Sequence, residues 1–374
     1  MNVFKTDDLS FYQKLFYILF SLIALGYLAI LAKEVLCPLV FSIIFSIVLL
    51  PLANFMENKF RFSRKVASGV TLLMFVSSLS LLFYLIGSQI SNLADNWPQF
   101  QLQLNLSVQK LQHWITGTYG INAGRQLAYL HNVTTKIMAS GTAVVGSTFQ
   151  SISSVLLFLV FTIIDIFFIL LYRSLILNFL IAVFKKEDSD VVHAIVEQVQ
   201  MIIRKYVIGI LLEMFIVATI VCLAFLILGI KYAVLLGLIT GLFNIIPYIG
   251  ILTALVISIL ITFATAVTGT KVLLVILVLV LMHLIDSNIL LPVIVGSKVK
   301  INALITVLGV VTGEMLWGIP GMFLSIPVIA VLKIIFDRIE SLQPWGMLLG
   351  EENKNDPKTV AHDEESGETK IIIQ

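Results

Sequence analysis

Residues 232–267 read YAVLLGLITGLFNIIPYIGILTALVISILITFATAV, an apolar run too long to cross a bilayer once and interrupted at its centre. A continuous helix at about 1.5 Å per residue would extend about 54 Å, against a hydrocarbon core of about 30 Å. Asn244, Pro247 and Gly250 sit in the middle of the run, where proline removes a backbone donor and clashes with the preceding turn. A second run, 303–336, is also too long and carries Gly318, Pro320 and Gly321 with Pro327 beyond them. Ala233, Gly237 and Gly241 recur every four residues before the first interruption, and Gly309 and Gly313 do so before the second. Small residues at one-turn spacing let helices approach closely. Backbone freed at membrane depth survives only where protein buries it or a wet cavity solvates it. The pattern therefore predicts two broken helices or re-entrant hairpins facing each other, with two long, tilted, Pro-kinked spans as the alternative, and such paired interrupted segments point to a transporter's binding site.

The rest of the chain agrees with a membrane setting. Of 374 residues, 59% are hydrophobic and 12% charged, roughly half the charge of a soluble domain. Six further apolar stretches lie at 12–32, 35–56, 66–92, 152–172, 207–229 and 272–291. The fold class is all-α and polytopic, with about eight transmembrane helices. The stretch at 12–32 is too long for a signal peptide and is followed at once by a second span, so it is read as an uncleaved helix. Residues 12–92 hold the first three spans and 93–148 form a polar, helical extracytoplasmic insert. Residues 149–340 form the transport core, including an amphipathic linker helix at 185–206, where Val192, Ile195, Val199 and Ile203 recur at helical spacing. Residues 341–374, rich in acids and lysines, read as a disordered cytoplasmic tail. Lys59, Arg61, Arg64 and Lys65 before the third span, with Arg173, Lys185, Lys186, Arg204 and Lys205 in the later linker, place those loops and both termini in the cytoplasm.

Several function classes drop out. A net charge of +2 leaves no nucleic-acid footprint. Cys37 and Cys222 lie in apolar runs, so neither a disulfide framework nor a metal site is implied. The sequence contains no phosphate-binding G-x-x-x-x-G-K-[ST] loop, no H-E-x-x-H and no G-x-S-x-G elbow. No catalytic residue and no cofactor is expected, and the reading is not that of an enzyme.

Polar residues inside the apolar runs carry the functional signal, because a charge at the bilayer centre costs about 2.5–3.5 kcal/mol on insertion scales. Asp286 lies near the end of one span with His283 one turn earlier, and Asn288 and Pro292 follow. Glu213 falls early in the 207–229 span and Glu314 beside Gly313. Asn244 precedes Pro247, where an amide either satisfies freed carbonyls or meets substrate. Asp165 is read as structural, given its nearness to the cytoplasmic edge of its span.

FNIIPYIG at 243–250, DSNILLPVIVGSKV at 286–299 and GIPGMFLSIPVIAVLK at 318–333, with the weaker LLPL at 49–52, RKVA at 64–67 and FFILLYR at 167–173, resemble the autoinducer-2 exporter-like family of bacterial membrane proteins, also called PerM-like permeases. The resemblance covers about 12–345. It implies about eight spans, an outside insert after the third, and ATP-independent movement of small solutes across the inner membrane. It carries Asn244, Pro247 and Gly250 onto one signature, Asn288, Pro292 and Gly296 onto a second, and Gly318, Gly321 and Pro327 onto a third. Leu291 departs from the Gln or Glu often found before that proline in relatives.

The reading is thus a secondary transporter exporting a small polar signal or metabolite. Na+(Li+)/H+ antiport and a non-transporting membrane scaffold are the alternatives. The substrate or ion pathway is assigned to Asp286, Glu213, Glu314, Asn244, Pro247, Gly250, Asn288, Pro292 and His283. The expected partners are the lipid bilayer, a small molecule or cation, and a second copy through the small-residue faces.

Overall fold

Every regular element among the described residues is helical, as an apolar chain must be where only intrachain groups can satisfy its backbone. The computed structural model describes residues 10–119, 148–184, 189–246, 249–266, 269–296 and 301–350. Among the described residues six helices are long and apolar enough to cross a membrane, and shorter apolar helices accompany them. Helices α1 (Phe11–Leu31), α2 (Lys33–Phe60) and α3 (Arg64–Asp95) cover the first three expected spans. Within the predicted insert, α4 (Trp97–Tyr119) is helical, whereas 120–147 lie outside the described residues.

Two helices run further than hydropathy alone indicates. α5 (Thr148–Val183) continues past Arg173, where the apolar signal stops, with non-helical angles only at Tyr172. The Arg173 guanidinium donates to Glu57 Oε2 of α2 at 2.6 Å, so the charge that ends the hydrophobic run is neutralised from a neighbouring helix. α6 (Ser189–Ile227) joins the amphipathic linker and the following span into one 39-residue helix.

Both overlong segments are broken. The first divides into α7 (Ala233–Phe243) and α8 (Ile249–Thr265), with Asn244 capping the end of α7. At about 16 and 25 Å neither arm reaches across a 30 Å core alone, and the two pack on each other as a hairpin. Gly250 is needed at the bend: a Cβ there would collide with the Phe243 carbonyl and the Asn244 nitrogen. Pro247 itself lies outside the described residues. The second divides into α10 (Ala303–Trp317) and α11 (Ile319–Arg338). Its break is Gly318, at φ +69° and ψ −143°, a backbone state open to glycine. Pro320 falls in the first turn of α11, where proline is pre-organised for helix, and Pro327 sits inside α11 without ending it.

The small-residue ladders find their partners. Gly237 lies against Cys222 and Gly241 against Met214 and Ala218, which seats α7 on α6. Gly313 and Gly321 meet backbone to backbone and close the α10–α11 hairpin. Between the hairpins runs α9 (Gly269–Ile285), continued by a π-helical segment, Asp286–Gly296.

The expectation that the two interruptions face each other directly needs a correction. α6 packs against both α7 and α11, and the bends are linked through one apolar cluster. There Ile245 beside the first bend and Trp317 beside the second pack against a buried cluster that includes Tyr206, Val207 and Ile210 of α6 and Phe323 and Leu324 of α11. The disordered reading of 341–374 is also corrected for its first ten residues. A short 3-10 turn and α12 (Gln343–Leu349) fold back on α11, with Gly346 against Asp337 and the Leu349 carbonyl accepting from Asn302 N at 3.0 Å. Tertiary contact holds this short helix, and residues 351–374 lie outside the described set.

The backbone contact between Gly313 and Gly321 makes a prediction. Gly313→Leu and Gly321→Leu each destabilise the protein by about 1–3 kcal/mol through overpacking. Gly26→Leu, with nothing within 4 Å of its Cβ position, leaves stability unchanged; thermal unfolding in detergent reads the difference.

Candidate functional site: an amide between two buried carboxylates

The break after α7 brings the end of that helix to two acids from other elements. Glu213 comes from α6 and Asp286 opens the π-helical segment. They are 4% and 8% exposed, so both carboxylates are shut away from solvent. Asn244, at the end of α7, reaches them together: its Nδ2 donates to Glu213 Oε1 at 2.9 Å and to Asp286 Oδ2 at 3.2 Å. One amide nitrogen thus spends both its hydrogens on two carboxylates.

The remaining oxygen of each acid, Glu213 Oε2 and Asp286 Oδ1, is buried and meets no hydrogen-bond donor among the described residues. Buried charge without a partner is expensive. Two carboxylates held by one neutral amide therefore form a place where a proton or a small cation would be stabilised strongly, since it relieves mutual repulsion and fills the two empty acceptor positions. Among the described residues no cluster of three or more His, Cys, Asp and Glu side chains is arranged to hold a metal ion.

The π-helical geometry belongs to the site. Wide turns of this kind collect at functional positions in helices, and this one begins at Asp286 itself.

The other sequence-derived candidates distribute as follows. Gly250 is buried at the bend, where it permits the close approach described above. Asn288 is exposed and returns its amide to the Leu284 carbonyl at 2.8 Å. His283 is exposed, with Nδ1 3.4 Å from Ser287 Oγ, and Pro292 is exposed on the π segment. Glu314 is exposed on α10, away from the acid pair. Asp165 is half-buried on α5. The structure therefore joins Glu213, Asn244 and Asp286, places Gly250 in support, and leaves Glu314, His283 and Asn288 outside the constellation.

Two features escaped the sequence reading. The first is Glu57, the partner of Arg173. The second is a pair of buried hydroxyls on α8, Ser258 and Thr262, at one-turn spacing and without hydrogen-bond partners among the described residues. A serine and a threonine four residues apart in an apolar helix directly after a break were the available signal.

Comparison with known proteins supplies the family. Residues 19–341 match the model of the AI-2E family transporters. The chain belongs to this family. Among AI-2E relatives, the AI-2 transport protein TqsA of Escherichia coli strain K12 is 25% identical over 86% of this chain and 91% of its own length. YueF of Bacillus subtilis strain 168 is 24% identical over 82% of this chain and 84% of its own. YrrI of the same organism is 36% identical, over 35% of this chain and 36% of its own length, so that match spans about a third of the relative. Family membership makes the protein a multi-pass membrane transporter, and the acid–amide–acid group lies inside the matched region.

The shared amide predicts a coupling. Asn244→Ala destabilises the protein by about 1–3 kcal/mol, because two buried acceptors lose their donor. The same substitution costs measurably less in an Asp286→Ala background, and a double-mutant cycle by unfolding in detergent reads that difference.

Proposed function

We propose that this AI-2E transporter is a proton-coupled secondary transporter that exports a small polar solute across the bacterial inner membrane without ATP, with both termini in the cytoplasm. The single observation that carries the reading is the bridging of Glu213 and Asp286 by one Asn244 amide inside an apolar bundle. In this reading a proton enters the pair, cancels one charge and loosens the hold of the amide on that acid. Release of the proton to the other side restores the double charge and the bridge. Because Asn244 ends α7, the protonation state of the pair biases where the tip of the α7–α8 hairpin sits, and the tip is where the polar cargo meets freed backbone groups. Likeness to TqsA over most of the chain supports a small polar signal of the autoinducer-2 kind as the cargo. The basic loops around Lys59–Lys65 and Lys185–Lys186 support the orientation.

A second reading, exchange of Na+ or Li+ for protons, is favoured by one specific observation. Glu213 Oε2 and Asp286 Oδ1 both lack donors, and two such oxygens suit a monovalent cation as well as a proton.

Flux in proteoliposomes separates the readings. Wild-type protein is expected to accumulate the solute against its own concentration gradient when a pH gradient drives it, and Glu213→Gln and Asp286→Asn each lower that flux at least about tenfold, or about 1.4 kcal/mol. Discharge of the pH gradient by Na+ or Li+ alone, lost in the same variants, selects antiport. Glu314→Gln behaves as wild type. Flux unchanged in both acid variants overturns the proposal and leaves a scaffold whose acids only pair within the bundle.

A further inference from the structure

The corner between α2 and α3 concentrates positive charge that the fold leaves unmatched. Both helices are long and apolar enough to cross a membrane, and only residues 61–63 separate them, so the corner lies at one surface of the bilayer. Lys59, Arg61, Arg64 and Lys65 crowd into it, and all four are exposed. The acid nearest to them in sequence, Glu57, is taken by Arg173. The two ion pairs among the described residues, Arg173–Glu57 and Lys333–Asp337, use none of the four. Arg64 donates to a neutral oxygen, Ser174 Oγ of α5, at 2.9 Å. Lys59 Nζ lies 5.3 Å from the centre of the Phe55 ring.

Cations this close repel one another, and the helix end beside them adds to the cost. Arg64 and Lys65 open α3, where the positive end of the helix dipole favours an acid and disfavours a base. No acid lies in that first turn, and Ser63 at the cap position makes no side-chain capping hydrogen bond. Local choices that run against helix physics with no compensation inside the chain mark functional positions. The missing component is an anion, and the apolar neighbours select its source. Phe55, Phe60 and Phe62 are exposed and interleaved with the cations along the chain. Their rings form a continuous series, with centroids 6.0 Å apart from Phe55 to Phe60 and 5.8 Å from Phe60 to Phe62. A free anion in water leaves such rings bare. A phospholipid matches both halves of the surface, because its phosphodiester meets the cations while its acyl region receives the rings.

We propose that the α2–α3 corner is a binding site for anionic phospholipid, in which Lys59, Arg61, Arg64 and Lys65 surround the headgroup phosphate and Phe55, Phe60 and Phe62 enter beside the acyl chains. The two arginines suit this role because the guanidinium fork matches phosphate oxygens, while the two lysines act as point charges. Juxtamembrane basic clusters are drawn to anionic lipid in the same way. The bound headgroup supplies the negative charge that the start of α3 lacks. It also fastens the corner to the leaflet, and the Arg64–Ser174 and Arg173–Glu57 contacts carry that hold to α5. The site stands apart from the acid pair and does not depend on the transport reading.

The test uses the full-length protein in phosphatidylcholine vesicles that carry a trace of spin-labelled phosphatidylglycerol or, in parallel, of spin-labelled phosphatidylcholine. The motionally restricted fraction of each label in the electron paramagnetic resonance spectrum gives the preference of the protein surface for the anionic headgroup. Wild-type protein is expected to prefer phosphatidylglycerol several-fold. Arg61→Gln/Arg64→Gln and Lys59→Gln/Lys65→Gln each lower that preference at least about twofold. Lys59→Arg/Lys65→Arg, which keeps the charge, keeps the preference. Arg204→Gln/Lys205→Gln on α6 removes as much charge elsewhere and leaves the preference as in wild type. No preference in wild-type protein, loss of it in the charge-keeping variant, or equal loss in the α6 variant overturns the site, the last because diffuse attraction to net charge then accounts for the binding. Inorganic phosphate that displaces the phosphatidylglycerol label where chloride of equal ionic strength does not assigns the corner to a free anion and also overturns the lipid site.

Discussion

One side-chain amide sits between two buried carboxylates that have no other donor among the described residues, and the architecture around it is arranged on that constraint. Asn244 is the C-cap of α7, and from there its amide meets Glu213 of α6 and Asp286 of the π-helical segment. The break at 244–248 therefore places polar chemistry at the end of an apolar hairpin. A neutral donor shared by two acids is a weak compensation for two buried charges, and this imbalance is what lets a proton or cation shift the balance of the site.

Close backbone packing keeps that end in place. Gly237 and Gly241 let α7 lie directly on α6, the helix that supplies Glu213, so donor and acceptor ride on two elements in intimate contact. Gly250 allows the chain to turn back past Phe243 without displacing Asn244. Asp286 arrives from the third direction at the point where α9 widens into a π-helical segment. The second hairpin, α10–α11, contributes differently. It reaches the first bend through the apolar cluster around Ile245 and Phe323, which makes it a packing neighbour of the site and leaves its acid, Glu314, outside.

Much of this was legible in the sequence, for reasons that can be named. Spans showed because hydropathy over about 20 residues is a strong signal. Both breaks showed because apolar runs of 36 and 34 residues conflict with membrane thickness and because proline and glycine mark where the conflict is resolved. Glu213, Asp286 and Asn244 stood out singly because polar groups are costly in such runs. Their meeting was hidden: Asn244 is 31 residues from one acid and 42 from the other, and only the hairpin's fold closes those separations. The cost rule also promoted Glu314, whose exposure depends on which side of α10 is covered. Local composition likewise missed α12, which exists because Gly346 fits against Asp337, and missed Ser258 and Thr262, since hydroxyls that satisfy themselves look identical in a sequence to hydroxyls that do not.

The site depends on one nitrogen serving two acids. Solid-state NMR on the protein in lipid bilayers, with 15N-labelled asparagine and 13C-labelled aspartate and glutamate, measures that arrangement directly. The predicted result is recoupling of a single side-chain amide nitrogen to both a glutamate and an aspartate carboxyl carbon at about 4 Å or less, as hydrogen bonding requires, with both signals lost in Asn244→Ala. An Asn244 amide coupled to only one carboxyl carbon, or to neither, contradicts it.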